Sequence, residues 1–233
     1  MTVSAHTPGG DEPPVVSAMR TGGAAALAPA DHRARLLVAM AELLAEQGYA
    51  SVTVTDVVAR ARVSKRTFYQ HFSDREECLL ATYRVVAEGP LHRIAQAAEA
   101  VAGQGLPLRE EIAGLTGAYL AAMAEHPLLT RAMLTEPGST GPAGRRARRE
   151  VLRRFADQLV ALAAVGVGEH AGARPLSPAL AQALVGGINE LVLAAVESAD
   201  RQEVAPATIA EEILGLRDTV TDLAVAVLTG PSA

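Results

Sequence analysis

Apolar residues recur every three or four positions along most of this chain, and Gly and Pro interrupt the pattern at intervals. This spacing places the apolar side chains on one face of an α-helix. No segment alternates apolar and polar residues for long enough to predict a strand. The pattern therefore predicts an all-α fold. Residues 1–30 lack the spacing and are rich in Pro, Gly and Ala, so we predict a disordered N-terminal tail there.

Four short segments with helical spacing follow the predicted tail. The first is predicted over 31–47, with Gly48 as its stop. The second begins at Thr53, which opens a capping-box pattern, and the third runs from Ser64 to about Phe72. Such short helices form a stable unit only if their apolar faces interlock. The residues predicted to do so are Leu36, Met40, Leu44, Val57, Ala61, Val63, Phe68 and Phe72.

The third segment has two chemically different faces. Phe68 and Phe72 are four residues apart, so both side chains point to the same side of a helix. The remaining residues are polar or amphipathic, and they are Ser64, Lys65, Arg66, Thr67, Tyr69, Gln70 and His71. A short helix that is apolar inside and hydrogen-bonding outside is typical of a recognition helix in a DNA major groove.

The charge distribution agrees with a local DNA contact. The whole chain has a formal net charge of −5, which argues against a surface that binds polyanions everywhere. One stretch is basic, however, with five basic residues and one acidic residue between positions 60 and 75. They are Arg60, Arg62, Lys65, Arg66, Asp74 and Arg75. A local concentration of positive charge attracts phosphate.

Longer helices are predicted after the fourth short one, which Ser73-Asp74 caps. Breaks rich in Gly and Pro separate them near 91–103, 107–125, 127–136, 143–167, 178–200 and 206–229. We therefore predict an N-terminal three-helix helix-turn-helix DNA-binding domain over residues 31–77. A larger helical domain for ligand binding and dimerisation is predicted over residues 78–233.

The stretch SVTVTDVVARARVSKRTFYQHFSDREECLLATY, residues 51–83, resembles the DNA-binding motif of the TetR/AcrR family of regulators. The strong resemblance covers about residues 30–85, and beyond them only length and helix number agree. Two positions depart from the family pattern. Val58 stands where the family usually has Ala, and Arg62 stands where it usually has Gly. Arg62 is thus predicted to adopt an unusual backbone angle, at a cost of about 1 kcal/mol.

The resemblance implies DNA contacts by position. Phosphates would be held by the positive end of the fourth helix and by Thr53, Thr55, Tyr69 and Arg75. Base edges would be met by Lys65, Arg66, Thr67, Gln70 and His71, and Ser64 completes the DNA-binding set. The implied function is a homodimeric repressor on a palindromic operator, released by an unidentified small-molecule effector. The alternative is a ligand-independent regulator that a protein partner controls.

Two further expectations concern the larger domain. Apolar steps of three and four in its last two helices predict a dimer seam made of Leu184, Ile188, Leu191, Ile213, Leu216, Val220 and Leu223. The alternative is that these residues face their own core. A largely aliphatic effector pocket is predicted from Leu115, Tyr119, Met123, His126, Met133, Phe155, Leu159 and Asn189. Because only two of these pocket residues, Tyr119 and Phe155, are aromatic, we expect no aromatic cage for a cationic drug.

Other classes of function lack their sequence signatures. The single cysteine excludes an internal disulfide, and no residues have the spacing of a metal site. No catalytic motif is present, so we expect no enzyme and no cofactor. We also expect no membrane contact and a cytoplasmic location, since no leader or membrane-length apolar stretch is evident. The arginine run over 145–154 is interpreted as a solvated face, with DNA, an acidic partner and an anionic effector as alternatives.

Overall fold

The computed structural model describes residues 31–166, 170, 173–201 and 205–230, and the predicted tail lies outside them. All regular secondary structure in this described part is helical, which confirms the predicted fold class. The helices are α1 (His32–Ser51), α2 (Val54–Ala61), α3 (Lys65–His71), α4 (Arg75–Val86), α5 (Glu88–Val101), α6 (Leu108–Ala124), α7 (Pro127–Ser139), α8 (Pro142–Gly166), α9 (Pro178–Arg201), α10 (Pro206–Gly215) and α11 (Arg217–Thr229).

Short polar residues start the helices of the N-terminal domain, as predicted. Thr53 and Asp56 form a reciprocal capping box at α2, and the Ser64 hydroxyl accepts a hydrogen bond from the Thr67 amide at 3.0 Å. Asp74 caps α4. These caps satisfy amides that have no partner inside the helix. Helix α1 is interrupted at Gly48, the predicted stop, because Gly48 has φ +70° and ψ +162°, outside the helical region, and a further turn continues to Ser51.

The apolar faces of α1, α2 and α3 interlock around one core. Seven of the eight residues predicted for it are buried, and Val63 is half-buried. The same core extends into the larger domain through Leu129 and Met133 of α7 and Ala147 and Val151 of α8. The DNA-binding domain is therefore joined to the larger domain by continuous apolar packing. We refer to the unit formed by α1, α2 and α3 as the head.

The larger domain is organised around α6. This helix contacts α5 on one side and α10 and α11 on another, while α8 packs against α9. Leu120, Val192, Val196 and Ile213 are fully buried at its centre. Packing of α6 between several helices leaves two cavities along its length, which are described with the functional site below.

Two boundaries in the larger domain differ from the predictions. The segment predicted as one helix over 206–229 is divided at Leu216 into α10 and α11. Pro90, expected as part of a break, lies in the first turn of α5. A proline is tolerated there because the first amides of a helix have no intrahelical acceptor, so no hydrogen bond is lost.

The expectation that no apolar stretch approaches membrane length was also wrong. Among the described helices, Pro178–Glu197 of α9 is 20 residues long with a mean hydropathy of 1.7, which would allow a span by length and composition. Leu184, Val185, Val192 and Val196 of this helix are buried against neighbouring helices. Only 33% of this apolar stretch is buried, so packing inside the domain accounts for part of the apolar character of α9.

Candidate nucleic-acid interface and regulatory cavities

Helix α3 is anchored by two buried rings. Phe68 is fully buried, Phe72 is 2% exposed, and their centroids lie 5.7 Å apart. Tyr69 is 57% exposed and meets the Phe68 ring edge-on at 5.4 Å. The outward face of α3 is formed by Ser64, Lys65, Arg66, Gln70 and His71, all exposed, with Thr67 half-buried. The predicted division of this helix into an inner and an outer face is confirmed.

The turn between α2 and α3 depends on an unusual backbone conformation. Arg62 has φ +52° and ψ +48°, in the left-handed region, so it has the unusual backbone angle that the family resemblance implied for this position. The turn is closed by a 3.0 Å hydrogen bond from the Val63 amide to the Val58 carbonyl. Arg35 of α1 donates to the carbonyls of Ala61 and of Arg62, the latter at 2.9 Å. Sequence reasoning missed Arg35, whose only signal is a basic residue beside the apolar stripe of α1.

The start of α2 presents two threonines. The Thr53 hydroxyl donates to the Asp56 carboxylate at 2.6 Å and accepts from the Asp56 amide at 3.2 Å. Hydrogen bonds from the Thr53 hydroxyl and the Thr53 amide to the Asp56 carboxylate lower the pKa of Asp56. Thr53 and Thr55 are both exposed, at the helix end whose dipole favours an anion. The Thr53 hydroxyl is used within the cap, and their phosphate contacts stay a prediction.

Two arginines of the predicted basic stretch are held by the protein itself. Arg75, expected to hold a phosphate, lies over the Tyr49 ring at 4.1 Å and donates to the carbonyls of Tyr49 and Val52. Its guanidinium therefore fastens α4 to the connection between α1 and α2, so the phosphate role requires correction. Arg60 pairs with two carboxylates of α1, Glu42 at 3.1 Å and Glu46 at 2.6 Å.

The positive charge left for DNA lies at the turn and on α3. Arg62, Lys65 and Arg66 are exposed, and no described residue forms an ion pair with them. Hydrogen bonds that Arg60 donates to Glu46 and Glu42 raise the pKa of Arg60, which keeps its charge inside that cluster. The basic patch is thus smaller than the sequence indicated, but it coincides with the recognition face.

Two adjoining cavities lie in the larger domain. One has a volume of about 330 Å³ between α5, α6, α8, α9 and α11, and the other, of about 80 Å³, lies against α4. Tyr119, Phe155 and Asn189 line both, and the two rings meet edge to face with centroids 6.0 Å apart. All the predicted pocket residues line one cavity or both. The larger is lined by Leu115 and Leu159, and the smaller by Met123, His126 and Met133.

Few polar groups reach these cavities. Arg93 and Glu125 line the smaller cavity and pair with each other at 3.2 Å. Glu111 lines the larger one and lies 2.6 Å from the ring nitrogen Nε2 of His170. Burial raises the pKa of Tyr119, so its phenol stays neutral. An apolar lining with a few convergent polar groups is typical of small-molecule sites, which have volumes of roughly 300–1,000 Å³.

The predicted dimer seam is wrong in its most apolar members. Leu184, Ile213 and Val220 are buried within a single chain at 5%, 0% and 2% exposure, and Ile188 lines the larger cavity. The others, Leu191, Leu216 and Leu223, are half-buried. The spacing identified the buried stripe of each helix correctly, but that stripe faces the domain's own core, which was the alternative stated above.

A contact between the two domains was not foreseen. The Glu136 carboxylate at the end of α7 accepts a hydrogen bond from the Tyr49 amide at 3.2 Å. Tyr49 is also the residue whose ring and carbonyl are held by Arg75. The connection between α1 and α2 is therefore tied to α4 and to α7 at one point. Nothing in the sequence pattern signals a pair 87 residues apart.

Comparisons with known proteins agree with this architecture. Residues 36–82 match the family model of bacterial regulatory proteins, tetR family. A comparison with curated proteins found no match.

Solved structures of similar fold cover most of the chain. FadR from Bacillus subtilis, a transcriptional regulator crystallised with stearoyl-CoA, is 19% identical with a TM-score of 0.60, over 85% of this chain and 98% of that one. SCO4454, a TetR-family transcriptional regulator from Streptomyces coelicolor, is 18% identical with a TM-score of 0.59, over 91% and 96%. PfmR, a TetR-family transcriptional regulator from Thermus thermophilus, is 23% identical with a TM-score of 0.55, over 86% and 97%.

Proposed function

We propose that this chain, a member of the TetR family of bacterial regulatory proteins, is a DNA-binding repressor that a small apolar molecule releases from its operator. The observation that carries the proposal is the face of α3. Two buried phenyl rings fix the helix, and Lys65, Arg66 and Gln70 are exposed on its outer face. No described residue forms an ion pair with Lys65 or Arg66. Arg and Lys recognise guanine in the major groove, and Gln pairs with adenine.

Contacts to the DNA backbone would set the position of this helix. Thr53 and Thr55 at the start of α2 and Tyr69 on α3 are exposed next to the recognition face. The Thr53 hydroxyl already donates to Asp56, so the Thr55 and Tyr69 hydroxyls would donate to phosphate, together with the amides at the start of α2. These residues would fix the register, while Lys65 and Arg66 would distinguish base pairs.

Two copies would be needed to read a palindromic operator, and the outer faces of α9 and α11 provide a surface for pairing. Gly187 of α9 approaches Leu223 of α11, so that a Cβ on Gly187 would lie 3.7 Å from a Leu223 methyl group. The two helices are therefore neighbours. Their exposed residues include Ala183 and Gly186 on α9 and Ala226 on α11. Small side chains allow the close helix contacts of a four-helix interface.

The effector would carry an aliphatic chain. Leu115, Leu159 and Ile188 are among the aliphatic residues of the larger cavity, and its aromatic residues are Tyr119 and Phe155. The bound stearoyl-CoA of FadR, which has a similar fold, supports an acyl-type ligand. Removing such a chain from water stabilises the complex by about 0.8 kcal/mol per buried methylene.

Release would act through α4. Tyr83 and Val86 of this helix line the smaller cavity, and Arg75 at its start holds the carbonyls of Tyr49 and Val52. A ligand that enlarges the smaller cavity would shift α4 and, through Arg75, the position of α2. A two-state coupling of this kind is worth roughly 1–3 kcal/mol, or about 5- to 150-fold in affinity.

The proposal is tested by electrophoretic shift of the DNA upstream of the protein's own gene. We expect a shifted complex that long-chain acyl compounds weaken and that a quaternary ammonium dye leaves unchanged. Absence of a shift at low salt would contradict DNA binding. Affinity that is indifferent to acyl compounds, while a protein extract alters it, would favour control by a protein partner. The cavity volume of about 330 Å³ supports the ligand over that alternative.

A further inference from the structure

The first two turns of α8 carry arginines that the fold does not use. Arg145, Arg146 and Arg149 are exposed, and no described residue forms an ion pair with them. Later arginines of the same helix differ. Arg153 pairs with an aspartate at 2.6 Å, and Arg154 pairs with a glutamate at 2.5 Å. We call the three unpaired residues the α8 arginine cluster.

Helix physics gives no reason for positive charge at this place. The amides at the start of a helix carry partial positive charge, so a basic side chain in the first turn is destabilising by roughly 0.3–1 kcal/mol. This helix begins at Pro142, so Arg145 lies at the end of the first turn, and Arg146 and Arg149 lie beyond it. The three like charges lie on neighbouring turns and repel one another, and an anion would relieve that repulsion.

The cluster is held close to the head. Ala143, Ala147 and Val151 pack into the same core as Phe68. Gly144 lies against the end of α7, where a Cβ would fall 1.7 Å from the Pro137 carbonyl oxygen, so the two helices meet at a fixed corner.

That corner adjoins the DNA-facing end of α2. One residue before Pro137, Glu136 accepts the hydrogen bond from Tyr49, and Tyr49 lies four residues before Thr53. The start of α8 is thus next to the connection that leads to the proposed phosphate contacts.

Two ion pairs show which part of α4 lies beside the α8 arginine cluster. Arg84 of α4 pairs with Glu150 at 3.0 Å, and Glu88, the first residue of α5, pairs with Arg154. The two pairs advance by four residues along both segments, so α8 runs in the same direction as the end of α4 and the start of α5. Arg145, five residues before Glu150, is therefore level with a point on α4 about four residues after its start. At 1.5 Å per residue this is about 6 Å from the end of α4 that follows α3.

We propose that Arg145, Arg146 and Arg149 contact phosphates of the DNA that flanks the groove entered by α3. The inference rests on the proposed function, since it extends the same protein–DNA interface. A phosphate neutralises the charge of an arginine without requiring a base sequence, and Arg binds it with two hydrogen bonds. The cluster thus strengthens binding to any DNA that continues past the recognition helix.

Salt dependence of binding distinguishes this role. The full chain and the variant R145Q/R146Q/R149Q are titrated with a long mixed-sequence duplex over a range of salt concentrations, so that no operator has to be known. The control is R109Q/R217Q, which removes positive charge from exposed arginines of α6 and α11, away from α8. Each phosphate contact contributes about 0.9 to the slope of log affinity against log salt.

We expect the α8 variant to lower the slope by up to about 2.7 per protomer and the control to match the wild type. Equal slopes for wild type and α8 variant, or equal losses in variant and control, overturn the inference while leaving the proposed function intact. If the wild type does not bind duplex DNA at low salt, the proposed function and this inference both fail.

Discussion

The left-handed conformation of Arg62 makes a stability prediction that can be isolated from all other effects. Replacement by Gly removes the clash between the Cβ and the following carbonyl oxygen, whereas replacement by Ala retains it. Both variants lose the same exposed charge, and both leave the Arg35 hydrogen bonds intact because these go to main-chain carbonyls. The difference between the two variants therefore measures the backbone strain less the extra conformational entropy that Gly loses on folding.

The expected size follows from the φ of +52° and ψ of +48°. A left-handed residue with a side chain costs roughly 1–2 kcal/mol. Gly loses about 0.5–1 kcal/mol more conformational entropy on folding than Ala does. The net advantage of R62G over R62A is thus about 0.5–1 kcal/mol. For a chain of this length that corresponds to about 1–4 °C in melting temperature.

Thermal and urea unfolding of the two variants, at equal protein concentration, would measure this difference. We expect R62G to be the more stable variant, with an unchanged denaturant slope. A melting temperature for R62A equal to or above that of R62G would refute the reasoning, because it would show that the turn does not hold position 62 in the left-handed region.

Three further outcomes are expected. Gly144→Ala should destabilise the chain by about 1–3 kcal/mol, since its Cβ would overlap the Pro137 carbonyl, while Gly114→Ala should stabilise it by about 0.5–1 kcal/mol; equal unfolding midpoints would contradict this. Burial raises the pKa of Cys78 to about 12, so a thiol reagent at pH 8 should label it only as fast as the chain unfolds, and stability should fall above about pH 8.5, where the unfolded thiol ionises first. Immediate labelling in native buffer would exclude this. Leu159→Trp should fill the larger cavity and remove the response to acyl compounds without changing DNA affinity, and an unaltered response would argue against that cavity as the effector site.

Local signals were sufficient to predict the head from the sequence. The caps at Thr53 and Ser64 and the four-residue step between Phe68 and Phe72 each determine geometry within a few residues. The left-handed residue at position 62 was predicted from the family resemblance, and the structure has it. The caps and the spacing of the two phenyl rings depend on residues close together in the sequence, so they could be predicted without knowledge of the rest of the chain.

The sequence did not allow us to predict which groups the charged side chains would bind. Arg60 was counted in the basic stretch and Arg75 was predicted to hold a phosphate, but their partners are 14 to 26 residues away and include main-chain carbonyls that carry no sequence signal. The hydrogen bond between Glu136 and Tyr49 was also not predictable, because its donor is a main-chain amide. Long-range pairs depend on how the helices pack, and spacing along one helix does not reveal this.

The same limit explains the mixed result in the larger domain. Spacing identified apolar stripes correctly, and Tyr119, Phe155 and Asn189 line both cavities. It did not distinguish a stripe that faces the chain's own core from one that faces a second copy, as Ile213 and Val220 show. Both kinds of stripe obey the same period, because helix geometry is indifferent to what covers the apolar face.

The central claim, that the outer face of α3 reads DNA, is tested most directly by matched triple variants. K65A/R66A/Q70A removes that face, and R109A/R153A/Q104A removes the same side-chain chemistry from exposed positions of the larger domain. Affinities for the upstream fragment are measured by fluorescence anisotropy. At roughly 1–3 kcal/mol per bidentate base contact, the first variant should lose at least about a hundredfold in affinity, with the helical circular dichroism spectrum retained. The second should bind like the wild type. Equal affinities for the two variants would contradict the account.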